Sequence, residues 1–189
     1  NALELSRFDP NNMRRHYTVV GERIVRELNG IDCLELLKIT NRKNIQSSRS
    51  FSKALTDYKV ISQAVSNYAA LACVKMRRQN SKARAIYVFI TTSPFRRDKR
   101  QYCNSACYHF ANPTSDSMLI ISQVKKILLQ IYRQGYAYSK AGVMLSDLVD
   151  ANWQQYDLFS KGDSRKSEKL MSVIDSVNNN MGKNSLFYA

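Results

Sequence analysis

The pattern of apolar and polar positions predicts four strands in the middle of the chain. The strongest signal is the run from Lys82 to Ser93, which is rich in β-branched and aromatic residues and which Pro94 ends. A second strand-like run covers Gln101 to Ala111. Weaker strand patterns at Asn44 to Ser52 and at Tyr136 to Leu148 complete the set.

Apolar residues at helical spacing predict two long amphipathic helices between these strands. The first is expected over residues 57–79, with Thr56 as its N-cap, and the second over residues 116–134, with Gly135 as its stop. The element order β-α-β-β-α-β favours an α+β fold of two layers. We therefore expect a four-stranded sheet that carries both helices on one face and presents a basic surface on the other.

Helices are also predicted towards both ends of the chain. Asp9 as N-cap and Pro10 at the first helical position begin a single helix that Gly30 ends. Little sequence surrounds this helix, so it is either the end of a domain whose remainder is absent or an N-terminal helix on the main domain. A short helix is expected in the tail, ending near Gly182. The helix that begins at Pro10 has an apolar stripe that consists of Met13, Tyr17, Val20, Ile24 and Leu28.

Positive charge is concentrated in the segment that contains the strands. The chain has 29 Lys and Arg against 15 Asp and Glu, a net charge of +14. Sixteen of these cations and only four acids lie between Asn44 and Val149, an excess of twelve. Such an excess indicates a polyanionic partner, with nucleic acid favoured over an anionic membrane, and a merely basic protein is the alternative. No apolar run approaches the roughly 20 residues that span a bilayer.

Hydroxyl and guanidinium groups on the predicted strands suit phosphate oxygens, which accept hydrogen bonds without reporting base sequence. Arg49 shares its parity with Ile45 and Phe51, so we expect a bulge there or an Arg49 that faces a ligand, unless the register differs. The loop at residues 95–100 has four cations and is either a solvated turn or a phosphate contact. The predicted nucleic-acid contacts are Ser48, Arg49, Ser50, Arg84, Thr91, Thr92, Arg96, Arg97 and Arg100.

The sequence offers no convergent groups for an enzyme site, so no catalytic or metal-binding residue is predicted. It has no phosphate-binding glycine motif and no HExxH motif, and His16 and His109 are far apart. The four cysteines lack zinc spacing and are expected as free thiols, with Cys103 and Cys107 on one face of a strand. Most of the eleven tyrosines, Tyr68 and Tyr87 among them, fit core positions better than base stacking.

Five short motifs occur in a specific order along the chain. They are SRSF from Ser48, TSPF from Thr92, PTSDS from Pro113, KAGVMLSDL from Lys140 and QYDLF from Gln155. On these motifs nearly the whole chain resembles the C-terminal part of the UmuC family, the catalytic subunits of bacterial DNA polymerase V. These are Y-family translesion DNA polymerases.

The resemblance implies a domain organisation. Residues 3–30 correspond to the end of a thumb domain, 31–43 to a linker, 44–149 to a DNA-binding little finger and 150–189 to a C-terminal tail. The tail contains the peptide expected to dock on the sliding clamp, in which a tyrosine replaces the usual leucine at the second position. The predicted clamp-binding residues are Gln155, Tyr156, Asp157, Leu158 and Phe159.

The resemblance also implies a function. It is sequence-independent binding of primer–template DNA and docking on a sliding clamp, by part of an error-prone polymerase of SOS mutagenesis and DNA repair. Further implied partners are a UmuD′ dimer and a RecA-type recombinase, with no membrane, in the nucleoid region of the bacterial cytoplasm. The metal-binding carboxylates belong to a palm domain outside this chain, so we expect no cofactor here, magnesium in the parent protein and no nucleotide incorporation by this chain alone.

Two alternatives remain from the residues themselves. An RNA-binding module of the RRM type shares the β-α-β-β-α-β order, although Gln101 to Phe110 lacks the aromatic RNP1 pattern. The other alternative is an enzyme in its own right, such as a nuclease.

Overall fold

The computed structural model describes residues 1–33, 41–96, 98–152, 165–182 and 185–188. The chain divides into two compact units, Asn1–Thr40 and Asn41–Ala189. Each unit is described separately below.

The first unit consists of α1 (Ala2–Ser6) and α2 (Pro10–Leu28). Asp9 caps α2 as expected, because its carboxylate accepts from the backbone N–H groups of Asn11 and Asn12. The prediction of one continuous helix is wrong, since Tyr17 and Thr18 leave helical geometry and Thr18 has φ 66°. No Gly or Pro marks this break, and the hydroxyl of Thr18 accepts from the N–H of Val20 where the helix resumes.

The predicted apolar stripe of α2 is mostly exposed within this unit. Tyr17 and Val20 are 65% and 60% exposed, while Val25 is fully buried. Together with α1 the stripe forms an apolar groove of about 560 Å³. Assignment of this unit to the end of a thumb domain stays a prediction. The groove is lined by Leu5, Phe8, Met13, Tyr17, Val20, Gly21 and Ile24.

The second unit contains the predicted α+β domain, and the predicted fold class is confirmed. Its strands and helices alternate in the expected order β-α-β-β-α-β, followed by one further helix. The elements are β1 (Ile45–Leu55), α3 (Tyr58–Arg78), β2 (Ser81–Thr92), β3 (Cys103–Thr114), α4 (Ser117–Ile131), β4 (Tyr138–Asp150) and α5 (Arg165–Asn180).

The four strands form one antiparallel sheet in the order β1-β4-β2-β3. Alternate residues of the central strand β2, namely Ile86, Val88 and Ile90, are fully buried. They share one core with the apolar faces of α3 and α4, which include Val65 and Val124. Both helices therefore cover the same face of the sheet, and the opposite face remains for other contacts.

The helix ends differ from the predictions by a few residues. Asp57, not Thr56, caps α3, because its carboxylate accepts from the N–H of Lys59 at 2.9 Å. The helix α4 ends at Ile131, before Gly135, because Tyr132 adopts extended geometry with ψ 137°. The hydroxyl of Tyr132 donates to the carbonyl of Thr56, which joins the end of α4 to the start of α3.

The tail helix α5 folds back onto the domain through polar contacts. Arg77 at the end of α3 makes a bidentate ion pair with Asp175 of α5, and both N–O distances are 2.7 Å. The ammonium of Lys82 lies 2.9 Å from the carboxylate of Glu168. Met171 is 1% exposed, so α5 also adds an apolar side chain to the buried interior.

Candidate nucleic-acid interface

We call the sheet face that is not covered by α3 and α4 the open face. The strand register brings side chains from all four strands into rows on it. One row contains Ser50, Lys140, Thr91 and Cys103, and the next contains Ser48, Gly142, Phe89 and Ser105. The rows after that contain Gln46, Met144, Tyr87 and Cys107, then Ser146, Ala85 and His109.

The middle of the open face is built around Gly142. A Cβ placed on this residue would lie 2.4 Å from the Cβ of Ser48 and 2.5 Å from Cζ of Phe89. The ring of Phe89 therefore lies across the Gly142 backbone, which only glycine permits. The row through Gly142 therefore presents the hydroxyl groups of Ser48 and Ser105 and the ring of Phe89.

A group of cations lies at one end of this face rather than on it. Lys140 is the cation in the described rows, whereas Arg96, Lys99 and Arg100 are exposed in the connection between β2 and β3. We call residues 96–100 the cationic loop, and its Arg97 lies outside the described residues. The expectation of a basic sheet surface is therefore corrected: alternate positions of the strands supply mainly serine, threonine, sulfur and aromatic groups.

The side chain of Gln101 hydrogen-bonds to two backbone carbonyls in the cationic loop. Its amide NH₂ donates to the carbonyls of Arg96 at 2.6 Å and Lys99 at 3.2 Å. Its amide oxygen accepts from the hydroxyl of Thr92 at 2.8 Å, and that hydroxyl also accepts from the N–H of Tyr102. These hydrogen bonds fix the backbone of Arg96 and Lys99, which lowers the conformational entropy that these two residues lose when they bind a partner.

Three of the predicted contacts lie on the open face, and three differ in position. Ser48, Ser50 and Thr91 point into its rows. Thr92 faces the helices and is 5% exposed, with its hydroxyl used by the loop. As contacts, all of these residues stay predictions.

Arg49 pairs with the buried Ala141 and so lies on the helix side of the sheet. Its charge offsets part of the effect of burial, which raises the pKa of Tyr68 on α3. The prediction that Arg49 lies on the same side of β1 as Ile45 was therefore right. A register shift also occurs in β1, between Ser50 and Leu55. Arg84 is half-buried beside the point where the pairing of β2 with β3 shifts register.

Other residues at this surface were not selected from the sequence. Tyr87 was expected in the core, yet it lies on the open face with Phe89, because these two residues alternate with the buried Ile86, Val88 and Ile90. Lys140 is brought beside Thr91 by the β2–β4 register. Phe95, next to the cationic loop, is 92% exposed. Only the strand order, which the sequence does not contain explicitly, would have identified Lys140.

The described residues include no group of three or more His, Cys, Asp and Glu side chains that could hold a metal ion. All four cysteines are free thiols. No described helix is long and apolar enough to cross a membrane. The predicted clamp-binding residues 155–159 lie outside the described residues.

A family model described as the impB/mucB/samB family C-terminal domain matches residues 42–158. The chain belongs to this family. The match begins next to the boundary at Asn41 that separates the two structural units, so the impB/mucB/samB domain and the sheet-containing unit start together.

Relatives in the impB/mucB/samB family are similar over the entire chain. The protein UmuC of Salmonella typhimurium is 43% identical over 190 residues, which cover 100% of this chain and 45% of the relative. MucB of Escherichia coli is 42% identical, covering 100% of this chain and 44% of its own length. ImpB of Salmonella typhimurium is 38% identical with the same 100% and 45% coverage. The chain thus spans less than half the length of these relatives.

Proposed function

We propose that the second unit binds primer–template DNA without sequence preference, as the little finger of an error-prone translesion polymerase. The observation that carries the proposal is the open face, which α3 and α4 leave uncovered and which has the cations Arg96, Lys99 and Arg100 at one end. Hydroxyl groups along two rows and cations at the end match a phosphate backbone better than they match base edges.

The physical requirements of translesion synthesis support the proposal. Such an enzyme must hold DNA whose bases are damaged, so contacts to phosphate serve it better than contacts to bases. In the described residues, the ion pairs of this unit involve Arg77 and Lys82, and none involves Arg96, Lys99 or Arg100. These loop cations are therefore available to a polyanion.

The similarity to UmuC, MucB and ImpB supports a wider proposal for the parent protein. It is a DNA-damage polymerase in which catalysis, with magnesium, resides in regions that this chain does not include. A sliding clamp is the proposed partner of residues 155–159, and UmuD′ and a RecA-type recombinase are further proposed partners. A tether to a clamp would raise the local concentration of a weakly binding polymerase at the primer end.

Replacing both Arg96 and Arg100 by alanine is expected to lower affinity for a primer–template duplex roughly tenfold at about 0.1 M salt, equally for unrelated sequences. The slope of log affinity against log salt should become shallower by about 0.9 for each phosphate that the variant no longer neutralises. Fluorescence anisotropy titrations at several salt concentrations measure both quantities. The matched control is Lys75→Ala with Lys126→Ala, which removes the same charge from exposed positions on α3 and α4.

An equal loss of affinity in the two double variants would show that net charge, and not the cationic loop, determines binding. A salt-independent affinity would also contradict the proposal. The same titration with single-stranded RNA tests the RNA-binding alternative, which the two aromatic residues Tyr87 and Phe89 on the open face favour through base stacking. Tighter binding of single-stranded RNA than of duplex DNA would make that alternative the better one.

Replacing both Leu158 and Phe159 by alanine is expected to abolish binding to the sliding clamp while DNA affinity and thermal stability stay close to wild type. Short peptides concentrate their binding energy in one or two large apolar side chains. Calorimetric titration with purified clamp, together with thermal melting, measures the two effects. A loss of about 2–5 kcal/mol in stability with clamp affinity intact would instead identify these residues as core residues.

A further inference from the structure

The open face carries a cluster of nucleophilic and proton-accepting side chains that phosphate binding does not require. The sulfur of Cys107 lies 3.2 Å from Nε2 of His109, two residues further along β3. Cys107 is exposed and is paired directly with Tyr87 across the β2–β3 register. The side chains of Tyr87 and Cys107 are therefore neighbours on the open face. Three reactive groups from two neighbouring strands lie side by side.

This arrangement matches the general requirement for an activated thiol. The deprotonated sulfur is the nucleophile, and a base within hydrogen-bond distance can receive its proton. In the neutral imidazole that carries its proton on Nδ1, the Nε2 of His109 is an acceptor directed at the Cys107 sulfur. The pKa of Tyr87 is raised, first by hydrogen bonding to Cys107 and then by the negative charge that Cys107 carries when it is ionised. Tyr87 therefore stays protonated beside the sulfur.

We propose that Cys107, His109 and Tyr87 form a reactive thiol site that hydrogen peroxide oxidises to a sulfenic acid. The thiol proton passes to Nε2 of His109, and the sulfur attacks one peroxide oxygen. An S–O bond forms while the O–O bond breaks, and the leaving hydroxide takes the proton from His109 and departs as water. Sulfur loses two electrons and the peroxide gains them, so the step balances with no further reagent.

The chain contains its own comparison thiols. Cys103 is exposed on the same strand and the same face, opposite Thr91, and in the described structure it contacts no imidazole. Cys73 is fully buried, and burial raises its pKa to about 11, although Arg77 and Ser117 act in the opposite direction. Exposure alone would make Cys103 and Cys107 equally reactive, so a difference between them measures the contribution of His109 and Tyr87.

The position of the site connects it to DNA, and this step rests on the proposed function. Tyr87 and Cys107 lie in the row next to Phe89 and Ser105, near the middle of the open face. A duplex lying across these rows would cover the sulfur and exclude peroxide. Oxidation of the free protein would in turn change the surface that the duplex contacts.

The test is a time course of the full chain with hydrogen peroxide, in which dimedone traps sulfenic acid and peptide mass spectrometry reports each cysteine. We expect Cys107 to be labelled roughly tenfold faster than Cys103. His109→Gln should reduce the Cys107 rate to that of Cys103 without changing Cys103 itself, and Tyr87→Phe should cause a smaller reduction. Equal rates for the two cysteines in the wild-type protein, or an unchanged Cys107 rate in His109→Gln, would overturn the proposal.

The constant rate of Cys103 and an unchanged circular dichroism spectrum establish that the variants are folded. If His109→Gln does not fold, the comparison between Cys107 and Cys103 in the wild-type chain still decides the proposal. A second arm adds primer–template duplex before peroxide, and we expect it to slow labelling of Cys107. Fast labelling of Cys107 that DNA does not slow would support the thiol site while counting against the open face as the DNA surface.

Discussion

Replacing Arg77 by alanine is expected to lower the free energy of unfolding of the second unit by about 3 kcal/mol. The guanidinium makes two hydrogen bonds of 2.7 Å to Asp175, one of 2.7 Å to the hydroxyl of Ser117 and one of 3.0 Å to the carbonyl of Ser115. The side chains of Arg77 and Asp175 are only 13% and 19% exposed. Alanine would leave a largely buried carboxylate without its partner and would remove one hydrogen bond each from Ser115 and Ser117.

The electrostatic surroundings of Arg77 agree with a strong interaction. Burial by itself would lower the pKa of Arg77, but the hydrogen bond and charge of Asp175 raise it above the ordinary value. The pair therefore compensates for its own desolvation. Because one guanidinium connects the end of α3, the start of α4 and the middle of α5, its removal should release α5 as well as destabilise the core.

Arg78→Ala is the matched control, because it removes the same side chain from the next position of α3. Arg78 is exposed and makes one hydrogen bond, to Asn179 at 3.0 Å. Its removal should cost no more than about 0.5 kcal/mol. Urea unfolding measures both variants, and hydrogen exchange of the α5 amides reports its release. Similar stabilities for the two variants would show that the Arg77 contacts contribute little.

Replacing Gly142 by alanine is expected to cost about 2 kcal/mol and to displace the ring of Phe89. The added methyl group would overlap both the Cβ of Ser48 and the Phe89 ring, at separations of 2.4 to 2.7 Å. A ring can rotate away, but Ser48 is attached to a paired strand and cannot move without shifting β1. The measurement is thermal or urea unfolding together with the near-ultraviolet circular dichroism of the aromatic residues.

Ser146→Ala provides the control for Gly142→Ala, since it changes a small residue on the same strand and the same face, opposite Ala85. We expect it to leave stability within about 0.5 kcal/mol of wild type. In a Phe89→Ala background, Gly142→Ala should cost less, because one of its two overlaps is gone. Full additivity of the two substitutions would mean that the Phe89 ring does not determine the effect.

The features of this fold that depend on a few neighbouring residues could be predicted from the sequence. The order of the elements, the cap at Asp9 and the alternation of β2 follow from rules that act over a few residues. The cap at Asp57 was missed because Thr56 beside it is also a good N-cap residue, and only the backbone geometry distinguishes them. The break in α2 could not be predicted, because neither Tyr17 nor Thr18 is a Gly or Pro.

Interactions between distant residues could not be predicted. The sheet order β1-β4-β2-β3 places Lys140 beside Thr91 and Cys107 beside Tyr87, and nothing in the spacing of these residues specifies that. The docking of α5 depends on charges 98 residues apart, Arg77 and Asp175. For the candidate site, residue types indicated phosphate binding, but the face occupied by Thr92 required the structure.

The location of the ion pairs has a consequence for the kinetics of encounter. Within the described part of the second unit, the ion pairs lie at the α5 end, through Arg77 and Lys82, while Arg96, Lys99 and Arg100 at the opposite end of the sheet have no carboxylate partner. Loop cations that no carboxylate contacts attract a polyanion before any atoms touch, and this raises the rate of productive encounter. Added salt would slow association by screening the attraction at distances beyond about 10 Å.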